Sequence, residues 1–267
     1  MISDWSSKTV YVTGASSGIG RTLAEQFGQK GANVVLCARS EDKLNEIGSR
    51  VEANGGSSLV QSLDVRDEQS VKQSFEKTVE AFGGVDCVIA NAGVSWRTNA
   101  LDLDLESCRE TVNINVLGLV NTLKFALDQM IGAGSGHLVA VSSMASYKGL
   151  PGKAAYCASK AAVARFAESL RLDLTDEPID VTTVFPGYVK TPMTDHYPED
   201  ELTFLVPVDE ASRKIIRAIE NGQKRCEFPW QMALLSGTLS LLPDWMTDWI
   251  VTKMAATMTD AAPEGPA

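Results

Sequence analysis

A short β-branched and aromatic run, Thr9–Thr13, gives way at once to a glycine-rich turn, Gly14–Gly20. A segment follows with apolar residues at helical spacing: Leu23, Ala24 and Phe27. No other stretch limits the possible folds as much. Glycine allows positive φ and lets the backbone come close to a pyrophosphate. The helix N-terminus that follows offers free N–H groups and partial positive charge to the same anion. A strand-to-helix turn can also be glycine-rich for steric reasons alone, so the rest of the chain has to decide.

The alternation continues. Strands are expected at Asn33–Cys37, Ser58–Gln61, Val85–Ala90, His137–Val141 and Val181–Phe185, with a last one near Cys226. Helices are expected at Arg21–Lys30, Glu41–Ala53, Glu68–Phe82, Ala154–Leu174 and Asp209–Glu220, and Glu106–Met130 reads as one long helix. Strands alternating with helices of this length imply parallel βαβ units with right-handed crossovers. The expected fold class is α/β, a Rossmann-type doubly wound parallel sheet of about seven strands with helices on both faces. The strands are nearly continuous in apolar residues, as a sheet covered on both sides requires. A chain of 267 residues accommodates one such domain over 1–228 and an apolar helical extension over 229–258. The small, proline-rich tail, 259–267, is expected to be disordered.

Charge and cysteine usage remove several functions. The formal net charge is −10, whereas phosphate backbones need clustered Lys and Arg; nucleic acid is not an expected partner. Docking on anionic lipid by charge is disfavoured too. Five cysteines are scattered without a CxxC pair, and the two histidines, His137 and His196, lie far apart, so no metal site is expected. No basic segment followed by a long apolar stretch opens the sequence, and a reducing, cytoplasmic compartment is expected.

The glycines fall as G-x-x-x-G-x-G. With Ser16, Ser17 and Ile19 between Gly14, Gly18 and Gly20, the turn resembles that of the short-chain dehydrogenase/reductases, and the resemblance recurs in order along residues 8–195. Asn91-Ala92-Gly93 is similar to the family's motif on the adenosine side of the cofactor, and Asp64-Val65 to the pair that contacts adenine. Pro186, Gly187, Val189 and Thr191 resemble the segment that flanks the nicotinamide and binds its carboxamide. Where the family's NAD enzymes carry Asp, this chain has Ala38, followed by Arg39. A carboxylate there would accept from both ribose hydroxyls of NAD and repel a 2′-phosphate, which a guanidinium can grip in a fork. NADP(H) is therefore the expected cofactor, with NAD less favoured, and Arg39 as a plain solvated loop residue is the alternative.

Tyr156 and Lys160 open the helix at Ala154. Residues four apart share a helix face, and of five tyrosines only Tyr156 has Lys at the fourth position following. Reducing a carbonyl needs a proton on oxygen as hydride reaches carbon, and a free phenol, with a pKa of roughly 10, is a poor match to neutral pH. A neighbouring ammonium stabilises the phenolate. Ser143, thirteen residues earlier, stands where the family keeps the serine that holds the substrate oxygen, with Ser142 and Ser146 as nearby decoys. Asn115 matches the helix asparagine that anchors a water joined to the lysine. The resemblance thus implies Tyr156 as general acid/base, Lys160 binding the nicotinamide ribose, Ser143 polarising the carbonyl and Asn115 sustaining a proton relay.

After Thr191 the resemblance fades, and Asp195–Leu205 is expected to be a mobile lid over the substrate. Further on, Trp245, Met246, Trp249, Ile250 and Met254 form one apolar stripe after Pro243, which fits a helix's first turn. A flap over the core or a subunit interface, a peripheral membrane contact through 230–254, and an entrance for a lipid- or steroid-sized substrate all remain open. The leading expectation is an NADP-dependent carbonyl reductase or alcohol dehydrogenase with a small apolar carbonyl or alcohol substrate, as a homodimer or homotetramer by family habit. An NAD-dependent hydroxysteroid-type dehydrogenase and a non-catalytic nucleotide-binding scaffold are the alternatives.

Overall fold

In the computed structural model, residues 4–198, 202–239 and 241–256 are described. The chain runs β1 (Thr9–Thr13), α1 (Gly18–Gln29), β2 (Asn33–Ala38), α2 (Glu41–Ala53), β3 (Ser57–Ser62), α3 (Glu68–Phe82) and β4 (Cys87–Ala90). It continues through α4 (Leu105–Val112), a π-helical turn (Asn113–Leu117), α5 (Gly118–Ala133), β5 (Gly136–Val141) and α6 (Ala154–Asp173). The last elements are β6 (Ile179–Pro186), α7 (Val208–Glu220), β7 (Arg225–Phe228), α8 (Trp230–Leu239) and α9 (Asp244–Ala256).

The strands form one seven-stranded sheet in the order β3-β2-β1-β4-β5-β6-β7, with every neighbouring pair parallel. Val12 pairs with Leu36 on one side and Ile89 on the other. The chain winds outward from β1 toward β3, then returns to β4 and winds the opposite way. The connections leaving β1 and β4 therefore diverge, and a crevice opens beyond their carboxyl ends.

Successive strand residues point to opposite faces. Val10 and Val12 join a core with Leu23, Phe27, Leu36 and Ile215 under α1, α2 and α7. Tyr11 and Val88 belong to the other, with Phe75, Leu123 and Val163 under α3, α5 and α6. Each fully buried Leu or Phe contributes about 1.5–3 kcal/mol. Along α6, Ala155, Ser159, Val163 and Ala167 recur every four residues as a buried seam. Lys160 is buried beside it, which for a lysine calls for a reason.

Three elements differ from expectation in detail. The helix after the glycine turn starts at Gly18, not Arg21; low glycine helix propensity hides that first turn from the sequence. The single helix expected over Glu106–Met130 is interrupted by the π-helical turn at Asn113–Leu117. The C-terminal stripe divides: Trp245 and Trp249 are 74% and 62% exposed, whereas Thr247 is buried. Helical spacing puts Thr247 and Val251 on one face and Trp245 and Trp249 on another, and Lys253 lies over the Trp249 ring, 4.5 Å from its centroid. Met254 and the 259–267 tail lie outside the side chains described. Among the described residues, no helix is long and apolar enough to cross a membrane.

Candidate active site

The crevice holds a cavity of about 800 Å³. Its floor begins at the turn after β1. Gly14 has φ +67°, a conformation natural to glycine. A Cβ at Gly20 would lie 2.3 Å from the Gly14 carbonyl oxygen and 2.6 Å from Asn91 Nδ2, so the turn closes tightly on β4. The same asparagine ties it down: Asn91 Nδ2 donates to the carbonyls of Thr13 (3.0 Å) and Gly14 (3.3 Å). Thr13 Oγ1 in turn accepts from the N–H groups of Asn91 and Ala92 at 3.0 and 3.1 Å. Gly20→Ala is expected to lower unfolding stability by about 1–3 kcal/mol, because the clash is with backbone; a denaturant midpoint unchanged from wild type would contradict this close approach.

Gly14, Ser16, Ser17, Gly18 and Ile19 line the cavity, and Ser17, the N-cap of α1, makes no side-chain cap hydrogen bond. The first N–H groups of α1 are thus left for an anion. Gly20 is not part of the lining; it shapes the turn from behind. At the far end, Arg39, Asp64 and Val65 line the cavity together with Ser40 and Lys43. Burial pushes the Asp64 carboxyl up, but hydrogen bonds and charge from Arg66, helped by Arg39, outweigh it and hold the group below its usual range. Val65 is fixed by Asn121, whose Nδ2 donates to its carbonyl at 2.9 Å.

Asn91, Ala92 and Gly93 form the middle of the lining, and Pro186, Gly187, Val189 and Thr191 the opposite wall. At this end Ser143, Tyr156 and Lys160 reach the same cavity. Ser143 Oγ accepts from the Ala145 N–H (3.1 Å) and donates to the Pro186 carbonyl (3.4 Å). The two serine decoys are otherwise engaged. Ser142 Oγ donates to the Lys160 carbonyl at 2.8 Å, pinning α6 to β5, and Ser146 Oγ donates to the Ser143 carbonyl at 2.6 Å.

Lys160 Nζ donates to the Val141 carbonyl at 2.9 Å and lies 5.8 Å from the Tyr156 ring centroid. Burial lowers its pKa to about 8. The Tyr156 hydroxyl moves the other way: burial raises its pKa, and the neighbouring Ser143 hydroxyl offsets only part of the rise. The net direction is upward, set by loss of water around the phenolate with the Cys157 thiol adding to it.

Asn115 stands one layer back from the cavity. Its side chain lies behind the lining, with Oδ1 accepting from the Val94 N–H (2.8 Å) and Nδ2 donating to the Val94 carbonyl (3.0 Å) and Ser159 Oγ (2.9 Å). A Cβ on Gly93 would meet both Asn115 Oδ1 (3.2 Å) and Lys160 Nζ (3.3 Å). The amide thus holds the Val94 backbone and Ser159 in place beside Lys160.

The model of the short chain dehydrogenase family matches residues 8–202. The chain belongs to that family. An uncharacterized oxidoreductase from Myxococcus xanthus is 36% identical over 249 residues, covering 92% of this chain and 97% of its own. One from Mycobacterium tuberculosis is 35% identical over 235 residues, covering 86% and 91%. A short-chain type dehydrogenase/reductase from Mycobacterium marinum superposes with a TM-score of 0.77 at 26% identity, over 84% of this chain and 93% of its own. Another short chain dehydrogenase/reductase, from Burkholderia phymatum in complex with NAD, has the same fold, with a TM-score of 0.82 at 21% identity, covering 88% and 93%.

Several site residues of this dehydrogenase escape a reading of its sequence. Thr13 and Asn121 act through hydrogen bonds to distant backbone, which no local pattern displays. Lys43 lies one turn into α2, where a lysine reads as a solvated helix residue. Lys153 has the same plain appearance, three positions before Tyr156. Among the described residues no cluster of His, Cys, Asp and Glu could hold a metal, and all five cysteines are free thiols.

Proposed function

We propose that this dehydrogenase transfers hydride between NADP(H) and a carbonyl or alcohol carbon of a largely apolar small molecule, with Tyr156 moving the proton. The observation that carries the reading is one cavity lined by Ser143, Tyr156 and Lys160 at one end and by the open N-terminus of α1 further along. The residues present fit a dinucleotide. The turn at Gly14 and Gly18 leaves room beside free N–H groups, and the Burkholderia phymatum neighbour was solved with NAD.

When bound, the nicotinamide supplies or takes up the hydride. Ser143 then holds the substrate oxygen by a hydrogen bond, and the Tyr156 hydroxyl donates its proton to that oxygen as charge develops there. A phenol whose pKa is raised by burial stays protonated at neutral pH and so has a proton to give in the reductive direction. The Lys160 ammonium stabilises the phenolate charge as it builds up, each pKa unit of stabilisation being about 1.4 kcal/mol. Met232, Leu235 and Leu239 of α8, with Val251 of α9, wall the cavity near this end, which supports an apolar substrate body. Loss of reduced-nicotinamide absorbance on adding aromatic or medium-chain ketones tests the proposal; tight NADPH binding with no ketone turned over would favour a nucleotide-binding scaffold.

The preference for NADP rests on Ala38, Arg39 and Lys43, all in the lining, while the neighbouring Glu41 and Asp42 are outside it. Hydrogen bonds to a charged group contribute about 1.5–3 kcal/mol. Arg39→Asp is therefore expected to shift the ratio of kcat/KM for NADPH over NADH by about ten- to a hundredfold toward NADH. An unchanged ratio would remove Arg39 from the 2′-phosphate.

A further inference from the structure

We propose that the substrate carries a carboxylate a few bonds from its reacting carbonyl, and that Lys153 binds it. The proposal rests on the carbonyl chemistry assigned to Tyr156 and narrows it to an oxo acid with an apolar body.

Lys153 is the N-cap of α6, its carbonyl accepting the Cys157 N–H at 2.8 Å. Its ammonium donates to Ser95 Oγ at 3.1 Å and lies 6.0 Å from the Tyr197 ring centroid. Lys153, Ser95, Tyr197 and Tyr156 all line the one cavity. Among the described residues no carboxylate comes within ion-pair distance of this ammonium. The other cavity lysines near the catalytic end are accounted for: Lys148 pairs with Asp244 at 3.2 Å, and Lys160 bonds to Val141.

The position of Lys153 in the helix works against its charge. A helix N-terminus carries partial positive charge and disfavours lysine. Burial pushes the Lys153 ammonium down, with the Cys157 thiol acting against that and Arg97 adding to it. Arg97 lines the cavity as well. The ammonium also contributes to lowering the pKa of His196. A half-buried cation held beside other positive groups costs free energy that a bound anion would offset.

The rest of the cavity restricts what that anion is attached to. Residues three apart on a helix have Cβ atoms about 5–6 Å apart, so a carboxylate on Lys153 keeps its carbonyl near Tyr156 when only a few bonds intervene. The apolar wall of Leu235, Leu239 and Val251 takes the remainder.

The test uses benzoylpropionate and its methyl ester, which share the carbonyl and the apolar ring and differ in charge. Titrated calorimetrically into the full chain with oxidised dinucleotide, the acid is expected to bind at least about tenfold tighter than the ester. Lys153→Met should erase that preference without weakening ester binding, and Lys153→Arg should restore it in part. An acid bound no more tightly than its ester, or a preference that survives Lys153→Met, overturns the proposal. NADPH oxidation by the ester separates this from the underlying reading. Turnover of the ester without acid preference removes Lys153 alone, whereas acid preference with neither compound reduced upholds the anion site and removes the reductase chemistry.

Discussion

Tyr156→Phe is expected to reduce kcat by about a hundred- to ten-thousandfold, the range supplied by a positioned general acid, while dinucleotide affinity stays within about threefold of wild type. The substitution deletes one oxygen and keeps the ring. That oxygen is buried and meets the Ser143 hydroxyl, so its loss costs the fold about 0.5–1.5 kcal/mol at most. The glycine turn, Asn91 and the open start of α1 are untouched, and these are the parts expected to hold the dinucleotide. Steady-state rates of NADPH oxidation, with affinity from quenching of protein fluorescence, separate the two effects. A rate within tenfold of wild type would mean that another group delivers the proton, and Ser143 would then be the first to examine.

Most of the fold was readable because its physics is local and periodic. A strand buried on both faces must be largely apolar, and β1, β2, β4 and β5 are, with polar residues confined to the ends of β1 and the starts of β2 and β5. Helices packed on one side show their spacing, as α7 does with Ile215, Ile216 and Ile219 buried. The turn at Gly14–Gly20 was readable for a different reason: a Cβ at Gly14 would lie 2.9 Å from both Ala92 Cα and Asn91 Nδ2, so the glycines record a contact.

What escaped has no such trace. A π-helical turn inserts one residue into the helical repeat, and the buried apolar residues Ile114, within it, and Leu119, just after it, still look periodic. The outward direction of Trp245 and Trp249 depends on which face of α9 meets the cavity, a tertiary choice that composition does not encode. The balance of effects on the Tyr156 hydroxyl was equally hidden, since residue spacing reveals the nearby cation but not the dryness around the phenol.

Lys160→Met makes that dryness measurable. Turnover is expected to fall by at least about a hundredfold, because the phenolate left after proton donation loses its ammonium. The stability of the protein should follow a different course. Burial lowers the Lys160 pKa from the usual 10.5 of a lysine to about 8, so the folded state binds the proton less readily than the unfolded chain. Below pH 8 both states are protonated and the folded protein bears the whole penalty, about 3 kcal/mol at roughly 1.4 kcal/mol per unit. Between pH 8 and 10.5 the unfolded state binds more protons, and stability rises with pH. Methionine fills much the same space without a charge, but leaves the Val141 carbonyl without its partner, at a cost of about 1–3 kcal/mol. The two proteins should therefore be similar in stability at neutral pH, and wild type should gain on the variant as pH rises from 8 to 10. Denaturant unfolding of both at several pH values reads the difference directly. A gap that stays constant over that interval would mean that Lys160 is solvated well enough to keep its ordinary proton affinity, and its action on Tyr156 would lose the low-dielectric setting that makes it strong.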